Sequence, residues 1–236
     1  METQIVKPET VRLALELDLI ADFACPWSYL GKRSLERALG SLYGAPVRAM
    51  RWHGFRSQPE QAGSARVSWP EHLAVRLPKG VTVDFAQRGL AEAGRELGIG
   101  FDFARLQSLP DTREAHRLTG LAARDDRQNE VVDALFRAFF EQGRDIGDSL
   151  ILSDIARDSG LSTSTLEAFA NPAEGREQVA AEEQRLRGLG VVATPNLLIN
   201  GRVLVPGPAD VSTYIQALDH ALFPALPAPP DKSQLH

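Results

Sequence analysis

Leu13, Leu15, Leu17 and Leu19 alternate with Ala14, Glu16 and Asp18, and Ile20 and Ala21 continue the run. A period of two sends alternate side chains to opposite faces of a pleated ribbon, so this stretch predicts a strand ending near Phe23. Leu30, Leu35, Leu39 and Leu42 then form one apolar face, and Pro26 suits a first helical turn, where its missing N–H is not needed. Together they predict a helix over about 26–42, stopped by Gly44-Ala45-Pro46. Val47–Phe55 reads as a second strand. A strand–helix–strand opening predicts parallel strands.

Residues 56–83 are rich in Pro, Gly and Ser and read as loop. Helices follow. Ala86, Leu90, Ala93 and Leu97 are spaced by four, three and four, and Gly98 and Gly100 end that run. Asp111 with Glu114 three residues on predicts a capped helix start. Val132, Leu135, Phe136, Phe139 and Phe140 match the i, i+3, i+4, i+7, i+8 template, so a helix with a buried face is predicted near 128–142. Asp148 caps another helix that Gly160 closes, and Pro172 opens one running toward Gly188. Two β-rich runs, Asn196–Ile199 and Arg202–Val205, flank Asn200-Gly201, the strongest short hairpin signal. Val211, Tyr214, Ile215, Leu218 and Leu222 predict a last helix, and Pro224, Pro227, Pro229 and Pro230 mark a tail that does not fold alone.

Two or three strands need partners, so the two ends of the chain are expected to build one mixed sheet. The predicted fold class is α/β. Residues 12–58 and 189–223 form the sheet domain, 59–188 an inserted helical domain, and 224–236 the tail. With 236 residues the chain can bury a core without staples. Lys and Arg number 26 against 31 acidic residues, a formal charge of −5 that gives no electrostatic reason to expect nucleic acid or an anionic membrane as partner. No apolar run approaches the ~18 residues of a membrane span, and Glu16 and Asp18 interrupt the one stretch that could imitate a signal peptide. The expected location is the cytoplasm, where a lone thiol stays reduced. The five histidines are scattered and no metal site is expected. Gly188-x-Gly190-x-x-Ala193 precedes a strand instead of following one, so it is no dinucleotide fingerprint.

The chemistry centres on Cys25, the single cysteine. It sits where a strand ends and a helix begins, and unpaired helix N–H groups with the macrodipole favour a thiolate there. The competing reading is a small buried hydrophobe, since free cysteine is among the most buried residue types. The functional reading expects the sulfur uncovered at the mouth of a groove and facing Thr194-Pro195, where a proline before a strand can be cis and present backbone groups to an extended ligand. Asp22 reads as a loop cap or an orienter of local N–H groups. Trp27 is a candidate platform for an apolar substrate part. His53, ending the second strand at the same sheet edge, is a candidate substrate contact, and His116 reads as a hydrogen-bonded structural histidine.

The stretch Asp22-Phe23-Ala24-Cys25-Pro26-Trp27-Ser28-Tyr29-Leu30-Gly31-Lys32-Arg33 resembles the DsbA-like branch of the thioredoxin superfamily. It is most similar there to the FrnE-type proteins, the 2-hydroxychromene-2-carboxylate isomerases and the kappa-class glutathione transferases. The resemblance continues through residues 111–118 and 143–148 and ends with Thr194-Pro195-Asn196-Leu197-Leu198-Ile199-Asn200-Gly201. It implies a thioredoxin-like fold with a helical insertion. It also implies a Cys-x-x-Cys pair facing a cis-proline: the first cysteine attacks a disulfide and the second resolves it. Cys25 matches the first position, and Ser28 replaces the second. No internal disulfide can then form, and a mixed disulfide must be resolved by an external thiol such as glutathione. Ser28 is expected to hydrogen-bond the thiolate. In the isomerases and transferases a serine stands where Cys25 does and holds glutathione. The transferase turn that grips glutathione aligns with Gly207-Pro208-Ala209-Asp210, which lacks its serine.

The expected function is therefore a monothiol, FrnE-like thiol–disulfide oxidoreductase with protein disulfide isomerase activity. Cys25 and Ser28 are its catalytic residues, and Pro26, Trp27, Thr194, Pro195 and His53 its substrate contacts. The expected partners are disulfide or glutathionylated substrates. Glutathione enters as a co-substrate and no cofactor is bound; a homodimer is compatible with such folds. The first rival is a glutathione-dependent isomerase or transferase acting on a small aromatic electrophile. The second is a non-catalytic peptide-binding module.

Overall fold

The computed structural model describes residues 14–42, 47–57 and 67–223. The predicted tail lies outside them. Strand β1 (Leu15–Ala21) is one of the sheet's two inner strands, and it alternates as its sequence demands: Leu15, Leu17 and Leu19 are buried, while Glu16 and Asp18 face the partly solvated side. Helix α1 (Pro26–Ser41) begins on Pro26 and leads to β2 (Val47–Gly54), parallel to β1. Much later come β3 (Asn196–Ile199) and β4 (Val203–Pro206), giving the order β2-β1-β3-β4 with β3 antiparallel to both neighbours. Asn200 and Gly201 both have positive φ, 52° and 64°, as the tight turn between these strands requires. Helix α9 (Val211–Leu222) packs beside α1, and Leu17, Leu35, Ile199, Tyr214 and Leu218 join in one core between the sheet and these two helices.

Between β2 and β3 run α2 (Trp69–Ala74), α3 (Val83–Glu96), α4 (Arg113–Ala122), α5 (Gln128–Phe140), α6 (Ser149–Asp158), α7 (Thr163–Ala170) and α8 (Arg176–Gly188). Their core is aromatic: Trp69, Phe136 and Phe140 meet Phe23 and Tyr29 from the β1–α1 unit. Lys32 of α1, fully buried, pairs with Glu36 and reaches Asp133 of α5 at 2.8 Å, tying α1 to the helical core.

Several expected features differ. The stretch 56–83 contains α2, which Ser68 and Glu71 start with a reciprocal capping box. Helix α4 has Thr112 rather than Asp111 at its N-cap position, with no side-chain capping bond, and the Asp111 carboxylate instead accepts the Arg113 N–H in a local turn. Helix α8 starts after Gly175, whose φ of 82° suits a turn, and not at Pro172. Helix α7, capped by Ser162, has no counterpart among the expected elements, since its eight residues are too few for a clear periodic signal.

Candidate active site

The sheet and α1 meet where β1 ends, and Cys25 stands there as the N-cap of α1. Its Sγ–H donates to the carbonyl of Thr194 at 3.5 Å, and the Thr194–Pro195 peptide bond is cis. The sulfur and the proline segment come from residues 169 positions apart, brought together because β1 and β3 are neighbours. Pro195 also packs against α1, its Cγ 3.2 Å from where a Cβ on Gly31 would be. A side chain at residue 31 would force this segment to give by a few tenths of an ångström.

A third group touches the sulfur. Arg76, just past α2, donates from Nη2 to Sγ at 3.4 Å and lies over the Trp27 ring, 5.5 Å from its centroid. Its Nη1 is buried without a partner. Arg76 was invisible to pattern reading, since nothing in the Pro/Gly-rich stretch links it to Cys25; the Ser68-x-x-Glu71 box was the one signal of the helix that carries it. The sulfur has no solvent-exposed surface. This corrects the expectation of an uncovered thiol: α2 and Arg76 occupy what was read as open loop.

Behind the sulfur lies a buried polar cluster centred on Asp22. Its Oδ1 accepts the Ala24 N–H at 3.3 Å and the Thr112 hydroxyl at 3.1 Å, and Oδ2 accepts the Ser57 N–H at 3.2 Å. The Ser57 hydroxyl meets the Thr194 hydroxyl at 3.2 Å, closing the cluster onto the proline segment. His116 Nε2 stands 3.6 Å from Asp22 Oδ1, an ion-pair separation too long for a hydrogen bond. Burial alone would raise the Asp22 carboxyl. The His116 imidazole, the Ser57 N–H and the Arg76 guanidinium outweigh it and hold the carboxyl at about 2. His116 is buried, but neither ring nitrogen has a hydrogen-bond partner, which corrects the expectation of a hydrogen-bonded histidine: the ring is held by packing against Phe23 and Gly54.

Ser28 is also buried, yet its hydroxyl accepts the Asp22 N–H at 3.3 Å, and no hydrogen bond joins it to the sulfur. The expected thiolate contact is thus replaced by a contact to the loop that bears the sulfur. His53 is not brought to Cys25. Its Nδ1 meets Glu182 at 2.6 Å and its Nε2 meets Asp18 at 2.9 Å on the polar side of the sheet, because a strand's alternation turned it away from the proline segment. Trp27 borders a cavity of about 520 Å³ walled by Leu30, Phe85 and Leu97 and edged by Pro208–Asp210. Among the described residues no His, Cys, Asp and Glu group could hold a metal ion, and no helix is long and apolar enough to cross a membrane.

His72 of α2 belongs to the same neighbourhood. Burial, with the nearby Arg76 charge, lowers its imidazole to about 4, and both ring nitrogens lack partners. The unfolded chain protonates near 6.5, so folding loses stability as pH falls from there toward 4. The loss attributable to this ring between pH 8 and pH 5 is about 2 kcal/mol. Urea unfolding at both pH values is expected to show His72→Leu spared this loss; an identical pH response in the two proteins would contradict the burial argument.

Comparison with known proteins places this geometry. The family model of a DSBA-like thioredoxin domain matches residues 16–219. A probable DsbA oxidoreductase from Streptomyces coelicolor superposes with a TM-score of 0.78 at 26% identity, covering 91% of this chain and 93% of the other. A 2-hydroxychromene-2-carboxylate isomerase superposes at 0.65 with 15% identity, over 88% and 96%. The cytosolic disulfide reductase DsbM from Pseudomonas aeruginosa, solved with GSH, superposes at 0.55 with 20% identity, over 87% and 94%.

Proposed function

The chain belongs to the DSBA-like thioredoxin domain family, and from that premise we propose that it is a cytoplasmic, FrnE-like monothiol oxidoreductase that acts on disulfides or glutathionylated thiols and uses glutathione as its second thiol. The observation that carries this reading is the sulfur at a helix start, held between the Thr194 carbonyl and the Arg76 guanidinium. The carbonyl holds the resting thiol. Once the proton leaves, that bond is lost and the cation beside the sulfur balances the new charge.

The exchange runs in two displacements. The Cys25 thiolate attacks the sulfur of R–S–S–G, forming the Cys25–glutathione disulfide and expelling RS⁻, which takes up a proton. A second glutathione thiolate then attacks the glutathione sulfur of that adduct, forming oxidised glutathione and returning the Cys25 thiolate. Two glutathione thiols are oxidised for each disulfide reduced when the substrate joins two R groups; one is consumed when R–S–S–G is the substrate. The covered sulfur requires the Arg76 side chain to shift as the disulfide enters.

The reading is tested by reducing a glutathionylated peptide under excess glutathione, with mass spectrometry of the trapped adduct. One glutathione on Cys25 and turnover proportional to glutathione are expected; turnover without an adduct would refute the covalent route. Arg76→Met is expected to lower the second-order rate about tenfold, the effect of losing one charge-assisted contact. A rate that holds or rises in Arg76→Met would mean that the guanidinium only covers the sulfur.

The apolar cavity beside Trp27 favours one rival, glutathione-dependent isomerisation of an aromatic compound. Asp210 at its edge is already engaged, its carboxylate accepting the Thr213 N–H at 2.7 Å to cap α9. That weighs against a glutathione grip at this turn.

A further inference from the structure

A separate cavity of about 370 Å³ opens between the end of β2, α4 and α8, and neither Cys25 nor Pro195 lines it. Trp52, Leu121 and Val179 supply apolar walls. Two glycines shape it for different reasons. At Gly54 a Cβ would sit 2.5 Å from His116 Nδ1, so glycine is what lets the imidazole lie against the strand end. At Gly120, inside α4, a Cβ would meet nothing within 4 Å. Neither packing nor backbone conformation asks for glycine at that helical position, and the room it leaves is the mouth of the cavity.

The polar groups divide sharply. The carboxylate there is already taken: Glu182 Oε1 accepts from His53 Nδ1 at 2.6 Å and Arg185 Nη2 at 2.7 Å, and its Oε2 accepts from Arg185 Nε at 2.8 Å. Arg117 is likewise engaged, by Glu114 and three backbone carbonyls. What is left unpaired can donate. The Trp52 Nε1–H is buried without an acceptor, Arg124 uses only Nη1, on Glu174, and the Gln178 amide can donate as well as accept, while His116 turns Nε2 to Asp22 and Nδ1 to Gly54. A cavity with apolar walls, satisfied carboxylates and idle donors asks for acceptor oxygens on an apolar body.

We infer that this cavity is a binding site for a small monocarboxylate with an apolar body, its carboxylate toward Arg124 and the Trp52 Nε1–H. The inference does not depend on the thiol chemistry.

Benzoate is the probe, with benzamide and benzylamine as its neutral and cationic counterparts, titrated into the full chain and followed by saturation-transfer NMR and calorimetry. Benzoate is expected to bind, benzamide about tenfold more weakly, and benzylamine not at all. Gly120→Leu projects its side chain into open space, so the fold is kept while binding is lost; Arg124→Met weakens it severalfold. Cys25→Ser leaves benzoate affinity unchanged, which keeps this site's success or failure distinct from that of the exchange reaction. Failure of benzoate to bind, equal binding of benzylamine, or unaltered affinity in both Gly120→Leu and Arg124→Met would overturn the assignment.

Discussion

Cys25→Ser is expected to reduce disulfide exchange to the uncatalysed background. A hydroxyl cannot form a disulfide, and the chain has no other sulfhydryl to take over, since Cys25 is the single cysteine. Enzymes commonly accelerate their reactions about 10⁶-fold or more, so the loss amounts to orders of magnitude rather than a graded decline. Stability is expected to hold. The serine hydroxyl is smaller than the thiol but can still donate to the Thr194 carbonyl, the bond that the thiol makes at 3.5 Å, so no buried acceptor loses its partner. Circular dichroism and urea unfolding would verify the fold while a glutathionylated peptide reports turnover. Retained turnover of a glutathione-dependent isomerisation in Cys25→Ser would favour the isomerase reading and end the oxidoreductase one. Unchanged peptide affinity with no redox activity in the wild type would point to a binding module.

The second large effect falls on stability. Asp22→Ala is expected to cost about 3–5 kcal/mol, the range for removing one partner of a buried charged cluster. The reason is visible in its contacts. The Ala24 and Ser57 N–H groups and the Thr112 hydroxyl all lose their acceptor at once, and His116 loses the carboxylate 3.6 Å from its Nε2. The same carboxylate has an acid signature. Its folded value near 2 lies below the ordinary one, so its contribution is complete above about pH 4 and disappears as pH falls through 2. That difference is worth about 2.5 kcal/mol. Wild-type protein should thus weaken in two stages on acidification, first as His72 resists protonation and then as Asp22 is forced to accept it. Urea midpoints across pH 2–8 would resolve the stages. If Asp22→Ala matched the wild type in stability at pH 7, the cluster would have no structural weight.

Because the active loop is part of this cluster, the cost of Asp22→Ala bears on the site too. Ala24 N–H and Ser57, both bound to Asp22 or one bond from it, hold the two sides of the sulfur's surroundings. The Ser57 hydroxyl reaches Thr194, whose carbonyl accepts the hydrogen bond of the thiol. Asp22 is a positioning residue for Cys25. Nothing places it in direct contact with the sulfur.

What the amino-acid sequence determined by itself was local and periodic. The alternation of Leu15, Leu17 and Leu19 specified β1, Pro26 marked the start of α1, Asn200-Gly201 specified a hairpin, and the phenylalanine stripe at 136, 139 and 140 specified α5. Each signal lies within one element, and backbone geometry reads it directly. These elements were enough to place a cysteine at a helix start and to recognise a mixed sheet made from both chain ends. Only tertiary structure decided who touches the sulfur. Arg76 reaches it because α2 folds back across the site, while Ser28 turns its hydroxyl to the Asp22 backbone and His53 faces the other side of the sheet. Contacts between residues 51 or 169 positions apart carry no periodic trace along the chain. They are set by how the apolar faces pack together, and packing alone determines which polar side chains are left beside a buried thiol.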